Sequence, residues 1–328
     1  MRRGGVSAGL RVGILGPSRR HDGTGPFVAR FLAEAGAEIV AVAASSEPSA
    51  RAAAEALAVH GIRADVHRDA AQLMRDPRLD AVAICSPMSL HEEHLELALA
   101  AGLHVFCEKP LLWRGGRPCA AAAASLVDRF EARGRSLHCN TQWVHTLDGF
   151  AELHGQDRAR RPRTFHMELA PPRPGLAMYA DAAPHPVSLL VALGAGGLAR
   201  EARAVWSSGG EALEVALIAE VPGGDDIAAT WSFRAQAHQP RPAAYAIDGA
   251  RVDREVDLAT YTMFLRDRSR KIAIPDPLRQ SVKTFLAELT GFHAGARSAN
   301  LRASAALLDA VWRKVADAPR GLDVGRCP

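Results

Sequence analysis

The sequence predicts two halves. The first is a doubly wound α/β domain, a parallel sheet with helices on both faces. The second is an α+β domain on an open, predominantly antiparallel sheet flanked by helices. Three observations predict this. Apolar strand-like runs alternate strictly with helical runs up to about residue 142. Beyond it, strand-like runs follow one another across turn residues, and two helices close the chain. A chain of 328 residues is also long for one hydrophobic core, so division is the default. The expected boundaries are a flexible tail at 1–10, a first domain at 11–142 and a second at 143–328.

Residues 11–15 ("RVGIL") read as a buried strand, followed by a glycine-bearing loop at 16–25 and a helix that opens on Pro26, a favoured first position. A strand at 37–44 and a helix at 48–61 come next. Then follow a strand at 79–87, a helix at 89–102, a strand at 104–110, a helix at 119–134 and a strand at 136–142. Near-continuous apolar strands separated by helices mark a parallel sheet covered on both sides. In the second half a strand at 163–170 precedes a helix at 176–194. Strand-like runs at 202–208, 211–221, 226–236, 243–257 and 261–274 are parted by turns and not by helices, and helices at 277–291 and 298–318 end the chain.

Composition excludes several classes. Apolar residues make up 48% and charged ones 23%, with a formal net charge of +4, which describes an ordinary globular protein. Arginines are scattered, and the densest basic run, "RARRPR" at 158–163, reads as a solvated linker; no nucleic-acid partner is expected. No apolar stretch is long enough for a membrane span, and Gly and Pro break the N-terminal apolar run too early for a signal peptide. Five cysteines form no CxxC pair, and four lie in or beside apolar segments, as reduced thiols in a cytoplasmic protein would.

The candidate chemistry begins with a lysine. The chain has 40 Lys plus Arg, yet lysine stands only at 109, 271, 283 and 314. Lys109 lies in "HVFCEKPLLW", where an apolar strand stops on Glu108-Lys109-Pro110. The first β–loop–α unit is where backbone N–H groups and a helix N-terminus would hold a dinucleotide pyrophosphate. Its loop runs Gly16-Pro17-Ser18-Arg19-Arg20, then Gly23-Thr24-Gly25-Pro26-Phe27, a stretched form of GxGxxG with Ser18 at the second glycine position. The second strand ends Ala44-Ser45-Ser46 with no acid for ribose hydroxyls; with Arg19, Arg20 and Arg51 nearby, this suits a 2′-phosphate and hence NADP, with NAD as the alternative. Ser45 or Ser46 can equally cap the next helix, with Arg51 on its wet face. "HEEH" at 91–94 spaces its histidines three apart with no third ligand nearby, so no metal is expected. Asp181 and His185 are i and i+4 on a predicted helix, an arrangement in which a carboxylate can orient an imidazole for proton transfer or simply bond to it on the surface.

Together, "ICSPMSLHEEHLELALAAGLHVFCEKPLLW" at 84–113 and "YADAAPHPVSLLVALG" at 179–194 resemble the Gfo/Idh/MocA oxidoreductases, named after glucose–fructose oxidoreductase and inositol dehydrogenase. The likeness runs from "VGILG" to "SANLRASAALLDAV", and EKP at 108–110 with DxxxH at 181–185 are its most specific parts. It implies a Rossmann dinucleotide-binding domain followed by a substrate-binding and oligomerisation domain. The implied reaction is hydride transfer between nicotinamide and a carbinol or carbonyl carbon of a small sugar-like or polyol-like molecule. Lys109 would bond the reacting oxygen and the nicotinamide ribose, His185 would be the acid/base, and Asp181 would orient substrate and base. Ser86, Pro87 and His91 would match the family's cofactor-side loop, whose "PNxxH" reads Pro87-Met88-Ser89-Leu90-His91 here. The open sheet would make dimer or tetramer contacts. The alternatives are a regulatory protein that keeps the fold without the chemistry, and a biosynthetic reductase acting on a C=N bond or a non-sugar ketone.

Overall fold

The computed structural model describes residues 9–18, 23–155, 162–207, 209–257, 262–289 and 294–318. The chain divides into two compact units. The first holds the described residues up to Gly116, with Ala121–Asn140 and Leu278–Leu301; the second holds Arg117–Ala120, Thr141–Pro277 and the described residues from Arg302 onward.

The first unit contains β1 (Arg11–Leu15), α1 (Gly25–Glu34), β2 (Glu38–Ala43), α2 (Glu47–Ala58), β3 (Asp65–His67), α3 (Ala70–Met74), β4 (Ala81–Ile84), α4 (His91–Ala101), β5 (His104–Cys107), α5 (Ala120–Ala132) and β6 (Leu137–Cys139). Its six strands lie in the order β3-β2-β1-β4-β5-β6, all parallel. That order reverses direction between β1 and β4, the place where doubly wound sheets open a crevice beyond their carboxyl ends. All of β4 and nearly all of β1, β2 and β5 are buried, because helices cover both faces. The short pair β3 and α3 has no counterpart in the sequence reading. β3 is three residues long and half exposed, so it carries no apolar run.

The chain returns to this unit late. α9 (Pro277–Glu288) places Leu278, Val282 and Phe285 in one core with Val12, Ile14, Val28, Leu32 and Phe106. Burying each of those side chains contributes about 1.5–3 kcal/mol relative to exposure. His138 on β6 holds the same helix, its ring nitrogens 2.9 Å from Glu288 Oε2 and 2.9 Å from Ser281 Oγ.

The second unit contains α6 (Leu147–His154), β7 (Thr164–Leu169), α7 (Leu176–Ala182), α8 (Pro184–Ala192), β8 (Ala199–Trp206), β9 (Ala212–Ala219), β10 (Ile227–Arg234), β11 (Ala243–Ile247), β12 (Ala250–Asp257), β13 (Thr262–Arg266) and β14 (Lys271–Ile274). Its sheet runs β14-β13-β12-β11-β7-β10-β9-β8, with only β7 and β10 parallel. The runs predicted at 243–257 and 261–274 are each a hairpin. Asp248-Gly249 turns the first, both at positive φ (47° and 75°), as a two-residue hairpin turn requires. Asp248 Oδ1 also accepts from the Arg163 and Thr164 amides, at 2.8 and 2.7 Å.

Strand alternation gives this sheet two unlike faces. The inner one carries Trp206, Leu213, Phe233, Trp231, Met167 and Tyr245, all at most 2% exposed. Phe150 of α6 stacks on Tyr245 at 5.6 Å, and Trp206 donates to the Val315 carbonyl of α10 (Ala294–Asp317) at 3.1 Å. The open face carries paired charges. Arg251 grips both oxygens of Glu168 at 2.7 Å and reaches Asp253 at 3.0 Å; Glu255 bonds Arg266 and Lys271, each at 2.6 Å.

Candidate active site

In the first unit the candidate residues gather at the carboxyl edge of the sheet. β1 is followed by Gly16, whose φ of 76° and closeness to β4's exit both demand glycine: a Cβ there would stand 2.6 Å from the Cys85 carbonyl oxygen. Gly25 opens α1 directly against the same turn, and a Cβ on it would stand 2.1 Å from Gly16 O. The stretched spacing of the loop therefore closes in space, with Gly16 and Gly25 touching. Helix α1 begins one residue before Pro26, where the missing N–H is an orphan of the first turn and breaks no helical bond. Pro17 is buried, while Ser18, Gly23, Thr24, Pro26 and Phe27 are half-buried. Arg19 and Arg20 lie outside the described residues.

Glu108 ties three segments together. Its Oε1 accepts from Thr24 Oγ1 at 2.6 Å and from Asn140 Nδ2 at 2.8 Å, and Oε2 receives the Lys109 amide at 3.3 Å. Glu108 thus holds the glycine turn, the end of β6 and the backbone of Lys109 in one arrangement. Asn140 is fully buried, and its Oδ1 has no partner among the described residues. Sequence reasoning missed Asn140. Its only signal is position, a small amide directly after an apolar strand at the functional edge.

The two histidines of HEEH brace the β4 exit. His91 is fully buried, with Nδ1 2.8 Å from Pro110 O and Nε2 3.0 Å from Ser86 O. Burial lowers its pKa, so the ring stays neutral and donates to one of these carbonyls at a time. His94 Nδ1 meets Ser86 Oγ at 2.9 Å. His91 therefore acts on the edge through the Ser86-Pro87 and Pro110 backbones rather than from its surface. The surrounding thiols are quiet: burial, with Glu108 adding to it, pushes Cys85 and Cys107 up, and Cys139 up to about 12.

At the end of β2, Ser45 and Ser46 are exposed. Ser46 caps α2 by accepting from the Ser49 amide at 3.4 Å, and Arg51 pairs with Glu47 at 2.7 Å. The capping alternative describes Ser46, and Arg51 already has a carboxylate.

In the second unit, Pro184 splits the predicted helix in two. Ala183 between α7 and α8 keeps helical angles (φ −61°, ψ −29°), so Asp181 and His185 stay on one side. From Met178 to Val191 every other residue is buried, and these two alone keep partial exposure. The His185 ring lies 6.1 Å from that of Trp143, which also meets Tyr245 at 6.1 Å.

A dinucleotide fits the first unit. A tight backbone turn that no Cβ could enter faces the start of α1. There Pro26 has no N–H and the Phe27 and Val28 amides already donate to Thr24 O at 2.9 and 3.0 Å, which leaves the Gly25 amide at the helix start for a phosphate oxygen. The buried Asn140 Oδ1 remains open to an N–H donor at the same edge.

Comparison with known proteins agrees. Residues 10–141 match the family described as "Oxidoreductase family, NAD-binding Rossmann fold". The dTDP-3,4-didehydro-2,6-dideoxy-alpha-D-glucose 3-reductase of Streptomyces violaceoruber is 39% identical over 140 residues, 42% of this chain and 36% of that protein. An inositol 2-dehydrogenase of Streptomyces avermitilis is 38% identical over 130 residues, 38% of this chain and 36% of the relative. The chain thus spans about a third of the length of these curated relatives. Among solved structures, a 3-ketoreductase from Actinomadura kijaniata in complex with NADP and TDP-benzene aligns over 93% of this chain and 97% of its own, with a TM-score of 0.70 at 22% identity. A UDP-N-acetylglucosamine 3-dehydrogenase from Acidithiobacillus ferrooxidans aligns over 93% and 99%, with a TM-score of 0.64 at 21% identity. At these identities the likeness is one of fold.

The glycine contact yields a first prediction. Gly25→Ala must push the turn away from α1, an overpacking cost of about 1–3 kcal/mol, and should weaken NADPH or NADH binding by about tenfold or more. Fluorescence titration reads this; unchanged affinity would show that the turn does not carry the phosphates.

Proposed function

We propose that this chain, whose residues 10–141 belong to the Gfo/Idh/MocA oxidoreductase family with its NAD-binding Rossmann fold, interconverts a carbinol and a carbonyl on a small sugar-like or polyol-like molecule. The observation that carries the reading is the fixed position of Lys109. It follows β5 at the carboxyl edge, its backbone held by the Glu108 carboxylate that also holds the glycine turn. When bound, the nicotinamide supplies or accepts the hydride. Lys109 is assigned to the reacting oxygen, where a compact ammonium stabilises developing negative charge. His185, partly exposed on a largely buried helix pair, gives or takes the proton, and Asp181 on the same side orients it. The named activities of the curated relatives, a sugar 3-reductase and inositol 2-dehydrogenases, support this substrate class.

Two further assignments accompany the reading. The open sheet face, lined by paired charges and small residues such as Ala216, Ala228 and Ala246, is assigned to contacts between copies of the chain, and the cytoplasm is the proposed location. A monomer at micromolar concentration in light scattering would remove the first assignment.

NADP(H) is expected to bind more tightly than NAD(H). The motive is Ala44-Ser45-Ser46, where no acid awaits ribose hydroxyls, and the NADP seen in the Actinomadura relative supports it. A charge-assisted contact to the 2′-phosphate contributes about 1.5–3 kcal/mol, or tenfold and more in affinity. Equal or tighter NADH binding in a direct titration would reverse this assignment.

Lys109→Arg tests the reaction itself. The substitution keeps the charge but not the compact ammonium. On whichever member of a sugar and polyol panel the wild type turns over, the variant should lose at least ~10²-fold in turnover, about 2.7 kcal/mol, with NADPH still bound. Turnover within a few-fold of wild type would reduce Lys109 to a structural ion-pair partner. No wild-type turnover on any sugar, polyol or keto form would leave the non-catalytic binding protein.

A further inference from the structure

Among the described residues, the inner face of the second sheet holds one charge. Along its rows stand Trp206, Leu213, Phe233 and Leu169, paired in register, and at the far end Arg254 faces Leu265. Every other inward strand position of β7 to β14 is apolar or Tyr245. Arg254 shares the parity of the buried Val252, so it points to the helix side, while its neighbours Asp253 and Glu255 point to the open face. There those acids pair with Arg251, Arg266 and Lys271. Strand alternation thus denies Arg254 the two carboxylates beside it in sequence.

Its surroundings are specific. The guanidinium lies 4.7 Å over the ring of Trp143, and Trp143 in turn lies 6.1 Å from the ring of His185. The Nε is shut off from solvent and donates to nothing among the described residues, while the residue keeps partial exposure. Among the described residues no carboxylate stands against it, and burial alone pushes its pKa down to about 10. A guanidinium so placed is costly to bury unless a negative partner completes it. A planar fork with one face covered by indole still offers its edge, the geometry that matches carboxylate or phosphate oxygens bidentately.

We propose that Arg254 is a specificity-determining residue that binds an oxyanionic substituent of the substrate, a carboxylate or a phosphate ester, beside His185. The proposal rests on reading His185 as part of the substrate site. It narrows the substrate from a neutral sugar or polyol to a sugar acid, a sugar phosphate or a nucleotide-linked sugar. Both residues lie against the same indole, which makes the guanidinium and the imidazole near neighbours.

The test is calorimetric binding to the NADP-loaded chain of D-glucuronate and of glucose 6-phosphate, each against D-glucose. Wild type should bind at least one of the anions about tenfold or more tightly than glucose, as a charge-assisted bidentate contact allows. A preference for glucuronate identifies a carboxylate, and one for the phosphate identifies a phosphate ester. Arg254→Met should abolish the preference and melt no lower than wild type, since an apolar side chain there relieves a partly buried, unpaired charge. Arg254→Lys, which keeps charge without the fork, should show a reduced preference. No anion preference in wild type, or a preference kept in Arg254→Met, overturns the proposal. Should Arg254→Met not fold, an unchanged preference in Arg254→Lys overturns it equally. These results are independent of turnover. Anion binding through Arg254 without any hydride transfer would sink the catalytic reading alone. Oxidation of neutral polyols with no anion preference would sink this one alone.

Discussion

The Glu108 carboxylate is the contact on which the carboxyl edge of the parallel sheet depends. It joins Thr24, 84 residues earlier, to Asn140, 32 residues later, and holds the amide of Lys109 between them. An ionised carboxylate is suited to this because it only accepts, with room for several donors on two oxygens. Bonds to it are also shorter and roughly twice as strong as neutral ones. Its neighbours are chosen to tolerate the charge: thiols that burial keeps protonated and donors that need an acceptor. The consequence is positional. The ends of β5 and β6 and the start of α1 cannot shift independently, so whatever Lys109 touches is registered against the glycine turn.

The same edge is braced a second time by two histidines of one helix. His91 and His94 hold the exit of β4 through the Ser86 carbonyl, the Ser86 hydroxyl and the Pro110 carbonyl. A neutral ring serves better here than a charged one, because burial penalises the imidazolium. Backbone held by buried side chains is preorganised before any ligand arrives, and a dinucleotide then meets a cradle already formed. Rigidity at this edge comes from these few polar contacts as well as from the apolar core beneath it.

Much of this was legible in one dimension. Apolar runs and helix periods located the parallel strands, since burial on both faces leaves an unmistakable pattern in β1, β2, β4 and β5. What failed was whatever depends on a contact. β3 was invisible because a half-exposed three-residue strand has no pattern. The glycine turn read as stretched because spacing along the chain says nothing of Gly16 and Gly25 meeting across it. Helix α9 showed an apolar stripe, yet nothing in it said that Phe285 belongs against Phe106, 5.8 Å away, rather than in the second sheet. Pro184 and Asp248-Gly249 are signals the sequence does carry, a helix break and a hairpin turn that divide both runs. At the site, EKP and DxxxH were visible as motifs. Asn140 was not, because a single amide after a strand acquires meaning only from the carboxylate it touches.

The second sheet shows why charge alone is a poor guide and parity a good one. Arg251 and Arg254 are three residues apart on the same strand and chemically identical, yet their environments are opposite. Arg251 points to the open face and grips Glu168, which pulls that carboxyl down to about 2. Its charge is answered within the fold, in a half-exposed setting where such pairs add little to stability. Arg254 points inward and, among the described residues, is answered only by the face of an indole. A methionine or leucine at that position would fit the apolar pattern of Val252 and Leu265 at lower cost, so folding gives no reason for a guanidinium there. An unpaired charge in an otherwise apolar row is a departure from the rule the rest of the sheet obeys, and such departures concentrate where a ligand supplies what the fold withholds.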